Sequence, residues 1–192
     1  AIFGRLPRRV CSPPAAVSAI EVSLAPGVRV TVAADGHVHL QHADAPSTSL
    51  TLAAPSALVV ALLNEGPVAA ERLAGVASAV GGAAALAEWY VTLSALLSHE
   101  MIRVTVSDRT DVLATLTRLH DVAWLPFEAV DETHTWRLSR FALLHTEGET
   151  LVLTSAASMA RVEIGKGVLA PVLQLMQLAS GGVRAATART EL

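Results

Sequence analysis

Val28, Val30 and Val32 alternate with Arg29 and Thr31, the two-residue period of a strand with one buried face. Ala34-Asp35-Gly36 follows, and Asp-Gly is a hairpin signal because glycine accepts positive φ. Val38 and Leu40 then alternate with His37, His39 and Gln41, predicting a second strand. After a polar loop, Leu50 and Leu52 mark a third, from about Ser49 to Ala53. The period then changes. Leu58, Val59, Leu62 and Leu63 sit at helical spacing behind Pro55-Ser56, and Gly66-Pro67 stops that helix. A second helix is predicted from Val68 to Val80. Gly81-Gly82 separates it from a third, from Ala84 to Glu100, with Leu86, Trp89, Tyr90, Leu93, Leu96 and Leu97 as its apolar stripe. Short strands are expected at Glu21 to Leu24 and at Ile102 to Val106.

The later chain repeats this layout. Trp136 to Leu144 reads as a strand, His145 to Glu149 as a turn and Thr150 to Leu153 as a second strand. Ala160 to Ile164 reads as a third strand, and a helix is expected from Val168 to Ala179, with Pro171 in its first turn. Between the copies, Ser107-Asp108 offers a helix N-cap, and Val112, Leu113, Leu116 and Leu119 an apolar helical face. Asp121 to Thr135 is read as an ordered loop. The expected fold is α+β, with tandem winged-helix-like units: a three-stranded antiparallel sheet plus three helices, then a partial second copy. The boundaries expected are a flexible 1–20, a first unit at 21–107, a second at 108–183 and a linker at 184–192.

Composition narrows the function. Over 192 residues, 52% are hydrophobic but only 4% aromatic, so the core must be built from Ala, Val and Leu. Mean hydropathy is +0.49, yet the run from Leu50 to Leu63 is interrupted by Thr51, Pro55 and Ser56. It falls short of the roughly 20 apolar residues of a membrane span. Surplus apolar surface points to an interface, with a further domain or a second copy in a homodimer. The net charge of −3 argues against nucleic acid, which calls for a basic stripe. The lone Cys11 fits a reducing cytoplasm.

No catalytic set emerges. His37, His39 and His42 are close in sequence, but nothing nearby completes the three or four ligands of a metal site. Asp131-Glu132 and Glu147/Glu149 lie in expected loops and turns, and acid–base work needs carboxylates in one cleft with one desolvated. Gly165-Lys166-Gly167 lacks the flanking residues of a phosphate loop. Peptide capture fits what is left, because an edge strand exposes backbone groups on which an extended peptide can add.

The hairpin VRVTVAADGHVHLQ and the Leu-rich strand running through Pro55 into SALVVALLNEGPVAAERLA resemble the PqqD-like fold, or RiPP recognition element. The stretch TWRLSRFALLHTEGETLVLTSAASMARVEI is similar to the region upstream of the flavin domain in SagB-type azoline dehydrogenases. Those enzymes use FMN to oxidise thiazolines and oxazolines of a modified peptide. The resemblance implies a non-catalytic, leader-peptide-binding region with no cofactor of its own, FMN belonging to a catalytic domain outside this chain. The implied partners are a precursor leader peptide and that flavin domain. By position, the peptide groove takes its strand side from Thr48, Ser49, Leu50, Thr51, Leu52 and Ala53. Its helix side would come from Ala87, Tyr90, Val91, Ser94 and Leu97, with Tyr90 and Leu97 alternatively read as core residues. A winged-helix DNA-binding regulator is the competing reading, because the two folds share a plan.

Overall fold

The computed structural model describes residues 19–43, 49–52, 56–108, 111–118, 135–136, 141–156, 159–168, 172–173 and 183–184. It is a mixed α+β architecture dominated by antiparallel sheet. Twelve strands are described: β1 (Ala19–Leu24), β2 (Val28–Val32), β3 (Val38–His42), β4 (Ser49–Leu52), β5 (Val68–Ala69), β6 (Ile102–Ser107), β7 (Val112–Arg118), β8 (Thr135–Trp136), β9 (Ala142–Glu147), β10 (Thr150–Ser155), β11 (Ala160–Ile164) and β12 (Val183–Arg184). Two helices stand among them, α1 (Ser56–Leu63) and α2 (Ala70–Ser98), and a short 3-10 turn covers Lys166–Val168. Three sheets form: a seven-stranded one in the order β5-β1-β6-β7-β11-β10-β9, a three-stranded one in the order β2-β3-β4, and the pair β12-β8.

The small sheet follows its alternation. Val30, Leu40 and Leu50 align across β2, β3 and β4, as do Val32, Val38 and Leu52. Val38, Leu40 and Leu52 are buried, and their row joins the core formed with Val59, Val60, Leu73, Trp89, Leu93, Leu96, Leu97 and Met101. Arg29, Gln41 and Ser49, and then Thr31, His39 and Thr51, occupy the opposite face, because successive strand side chains alternate. The β2–β3 hairpin closes with Gly36 at φ 84°, and the Asp35 carboxylate accepts the His37 N–H at 3.0 Å.

The sequence reading of two helices broken by Gly-Gly is reproduced in α2. Helical hydrogen bonding runs from Ala70 to Ser98, but Gly81 (φ −148°, ψ 22°) and Gly82 (φ 64°, ψ −150°) leave helical geometry. Gly82 occupies a region that is essentially glycine's alone. The helix ends with the Met101 N–H donating to the Leu96 carbonyl at 2.8 Å, around Glu100 at φ 58°. By length and composition α2 could cross a membrane. Here it is broken at its middle and sends Leu73, Trp89, Leu93, Leu96 and Leu97 into the core.

The expected helix over Val112 to Leu119 is corrected: Val112–Arg118 is strand β7. Asp108 caps a turn, not a helix. Its carboxylate accepts the Asp111 N–H at 2.8 Å, and its own N–H donates to the Asp111 carbonyl at 3.0 Å. That turn joins β6 to β7, so the boundary expected at 107/108 falls inside a hairpin. Strand β6 lies between β1 and β7 and does not close the small sheet, and the second stretch therefore extends the same seven-stranded sheet. The strand expected over Trp136 to Leu144 is described as β8 and β9 separately, with a turn at Phe141. The turn to β10 is tighter than expected, only Gly148-Glu149, with Gly148 at φ 60°. Most of the helix expected from Val168 to Ala179 lies outside the described residues, as do Cys11 and the loop 121–134.

Candidate peptide-binding site

Strand β4 pairs on one side only. Ser49 to Leu52 face Gln41 to Val38 across the ladder, and the order β2-β3-β4 leaves the far side of β4 open among the described residues. Alternate N–H and C=O groups of an antiparallel edge strand point away from its partner, so β4 offers unpaired backbone groups over this length. Thr51 is steadied on the outer face by His39, whose Nδ1 lies 2.9 Å from Thr51 Oγ1. Leu50 and Leu52 turn toward the core. Thr48 and Ala53, the ends of the expected strand side, lie outside the described residues.

The chain leaving β4 meets α2 at a definite place. Ser56, the first residue of α1, is buried, and its hydroxyl lies 2.9 Å from Thr92 Oγ1 and 3.3 Å from the Glu88 carboxylate. Only residues 53–55 separate Leu52 from Ser56, a path of at most about 14 Å. The flank of α2 nearest this junction is therefore the one carrying Glu88 and Thr92. At about 3.6 residues per turn, Ala84, Glu88, Val91 and Ala95 form a stripe along it.

The expected helix-side residues divide accordingly. Val91 belongs to that stripe and is 71% exposed. Ala87, Tyr90 and Ser94 lie on the outer face, turned further from the junction; Ala87 and Tyr90 are exposed and Ser94 is half-buried. Leu97 is 0% exposed in the centre of the core, so of its two readings the core one holds, and its side chain is out of a ligand's reach. Glu88 and Thr92 were missed by the sequence reading. The signal was there: Glu88 is the single charged residue between Arg72 and His99, with a hydroxyl four residues on.

The other chemical candidates assemble elsewhere. On the polar face of β9, β10 and β11, Arg161 donates to Glu163 at 2.6 Å, to Glu147 at 2.7 Å and to Thr117 at 3.0 Å, while His145 Nε2 lies 2.9 Å from Glu147. The hydrogen bond from Arg161, then that from His145, holds the Glu147 carboxyl below its ordinary range. Arg161 is held above its ordinary value by its bond to Glu163, against a smaller effect of burial, and by its bond to Glu147. A carboxylate kept ionised in this way is a poor general acid. Glu149 meets Lys166 at 3.5 Å beside a cavity of about 180 Å³ that Thr115, Thr150 and Glu163 also line. The Asp35 carboxyl is likewise lowered, first by the His37 N–H and then by its imidazole. Among the described residues, no group of three His, Cys, Asp or Glu side chains is placed to hold a metal ion.

No protein-family model matches the chain, and no curated protein matches it.

Proposed function

We propose that this chain is a peptide-capturing region that binds the leader segment of a ribosomally made precursor peptide, by adding it as a fourth strand to the open edge of β4. In this reading residues 21–107 act as a PqqD-like recognition element. The strands after 111 belong to a second, incomplete winged-helix-like unit, and the parent protein is an FMN-dependent azoline dehydrogenase whose flavin chemistry lies outside this chain.

The observation that carries the reading is a contrast between two edges. Strands β9, β10 and β11 repeat the antiparallel order of β2, β3 and β4. The outer edge of β11 is taken by β7, which runs antiparallel to it and sets Leu116 opposite Val162, Thr115 opposite Glu163 and Ala114 opposite Ile164. The chain thus fills with its own strand the place that, among the described residues, stays open beside β4. Backbone pairing supplies affinity in such an arrangement, and the pockets that receive the peptide's alternate side chains supply selectivity. DNA binding finds no support: α2 carries neither Lys nor Arg from Leu73 to Ser98, and phosphate contacts need such cations.

The test is fluorescence anisotropy of a labelled leader peptide, combined with amide hydrogen exchange. Saturable binding at micromolar protein, with slowed exchange at Ser49 to Leu52, is expected. Absence of binding, or protection confined to other strands, overturns the proposal.

A further inference from the structure

The elements that meet at the β4–α1 junction carry few charges. Strand β4 (SLTL) and helix α1 (SALVVALL) have no ionisable side chain, and Glu88 is the single charged residue of α2 between Arg72 and His99. Glu88 is exposed, but it is not free to point anywhere. Its carboxylate accepts a hydrogen bond from the hydroxyl of Ser56, which is itself buried and tied to Thr92. Uncharged residues flank it along the helix, the exposed Ala84, Ala87 and Val91. Among the described residues, no Lys or Arg lies within ion-pair distance of it.

The Ser56 hydroxyl accounts for one of the carboxylate oxygens. Glu88 thus stands at the start of α1, four residues along the chain from the end of β4. We propose that Glu88 is a specificity determinant: it selects peptides carrying a lysine or arginine just beyond the segment paired with β4, and rejects those with an acid there. The inference rests on the strand-addition reading and adds the charge of the partner. Like charges brought together at such a surface are discriminated against more strongly than a matched pair is rewarded, and this is how charges set partner choice.

The experiment uses a displayed library of random twelve-residue peptides, selected in parallel on the intact chain and on Glu88→Lys. On the native chain, the recovered peptides should carry Lys or Arg at a fixed offset from their apolar positions. On Glu88→Lys that position should turn to Asp or Glu. For one recovered peptide, Glu88→Gln should weaken binding about twofold to fivefold, the range of an exposed ion pair, and replacing the peptide's cation by Gln should cost nothing further in that variant. The Gln variant is close in shape and keeps the comparison intact should Glu88→Lys misfold. A role for Glu88 limited to holding α1 would lower thermal stability and leave the peptide's composition unchanged. Recovered peptides without a cation bias, or the same bias on both proteins, overturn the assignment and leave strand addition standing. Recovery of no peptide on the native chain overturns both.

Discussion

The two three-stranded meanders, β2-β3-β4 and β9-β10-β11, share hairpin order and pairing direction, yet they end in opposite conditions. The first turns Val38, Leu40 and Leu52 onto the helices and seals them, while β4 remains an edge among the described residues. The second is built into a seven-stranded sheet, with β11 covered by β7, and its polar face carries the Arg161, Glu147 and Glu163 cluster. Among the described residues its own end strand is β9, where Leu143 is 60% exposed. A repeated pattern of strands therefore does not repeat a binding site. What decides is whether another strand of the chain occupies the edge, as the earlier strand β7 does for β11.

The largest expected effect tests whether the first region is a closed core. Leu97→Ala removes a side chain with no exposed surface and should cost about 2–5 kcal/mol of unfolding free energy, the range for buried leucines. Leu143→Ala on β9 should stay within about 0.5 kcal/mol. Urea denaturation of both variants measures the contrast, and equal costs would mean that the two regions do not differ as described.

Next in size is the closure of β11 by β7. Gly165 donates its N–H to the Leu113 carbonyl at 2.8 Å, and a Cβ at this position would lie 1.8 Å from the Val112 carbonyl oxygen. That neighbour is backbone, so relief requires the strands to part. Gly165→Ala should cost about 1–3 kcal/mol, as overpacking does, with faster amide exchange along Val112 to Leu116. An unperturbed variant would show that β7 is not held where its hydrogen bonds put it.

That strand was also the least legible in the sequence. Val112, Leu113, Leu116 and Leu119 satisfy a helical period, but over seven residues Val112, Ala114 and Leu116 satisfy a strand period equally well. The choice fell to partners on both sides, β6 and β11, which no local pattern displays. Register irregularities at Val106/Ser107 and Arg161/Val162 blur the alternation further. The first region was readable because its signals are local: Asp35-Gly36 fixes a hairpin, Gly66-Pro67 ends a helix, and Gly81-Gly82 breaks one. At the candidate site, the strand Ser49 to Leu52 could be read from alternation alone. The helix side could not, because which flank of α2 faces the junction is set by Ser56 meeting Thr92 and Glu88 across 36 and 32 residues of sequence.

A third effect concerns ligand binding. Leu52→Pro removes an N–H and distorts the edge, and leader affinity should fall at least about tenfold, or about 1.4 kcal/mol. The comparison is sharpened by placing proline in β9 at Leu143, where leader affinity should not change. Circular dichroism establishes that each variant is folded. A Leu52→Pro protein that is folded and binds normally would move the peptide to another surface.

The smallest effect separates the two regions by pH. Glu147 lies in the second region, and its carboxyl is depressed by Arg161 and then by His145. A carboxylate bound more favourably when ionised contributes stability that is fully present above its unfolded pKa. That contribution is lost as pH falls through the lower, folded value. The window is therefore below about pH 4, and the group is exposed enough that solvent screens most of the gain. Thermal melts between neutral pH and pH 3 should show the native protein losing slightly more stability than Arg161→Gln, in which the cause of the depression is gone. Amide exchange should place that loss in β9 to β11. The first region has its own depressed carboxyl, Asp35, at the tip of the β2–β3 hairpin, so acid-dependent loosening there should be confined to that tip and leave Ser49 to Leu52 protected over the same range. Acid-dependent opening that begins at β4 instead would reverse the assignment of the ionic contribution to the second meander.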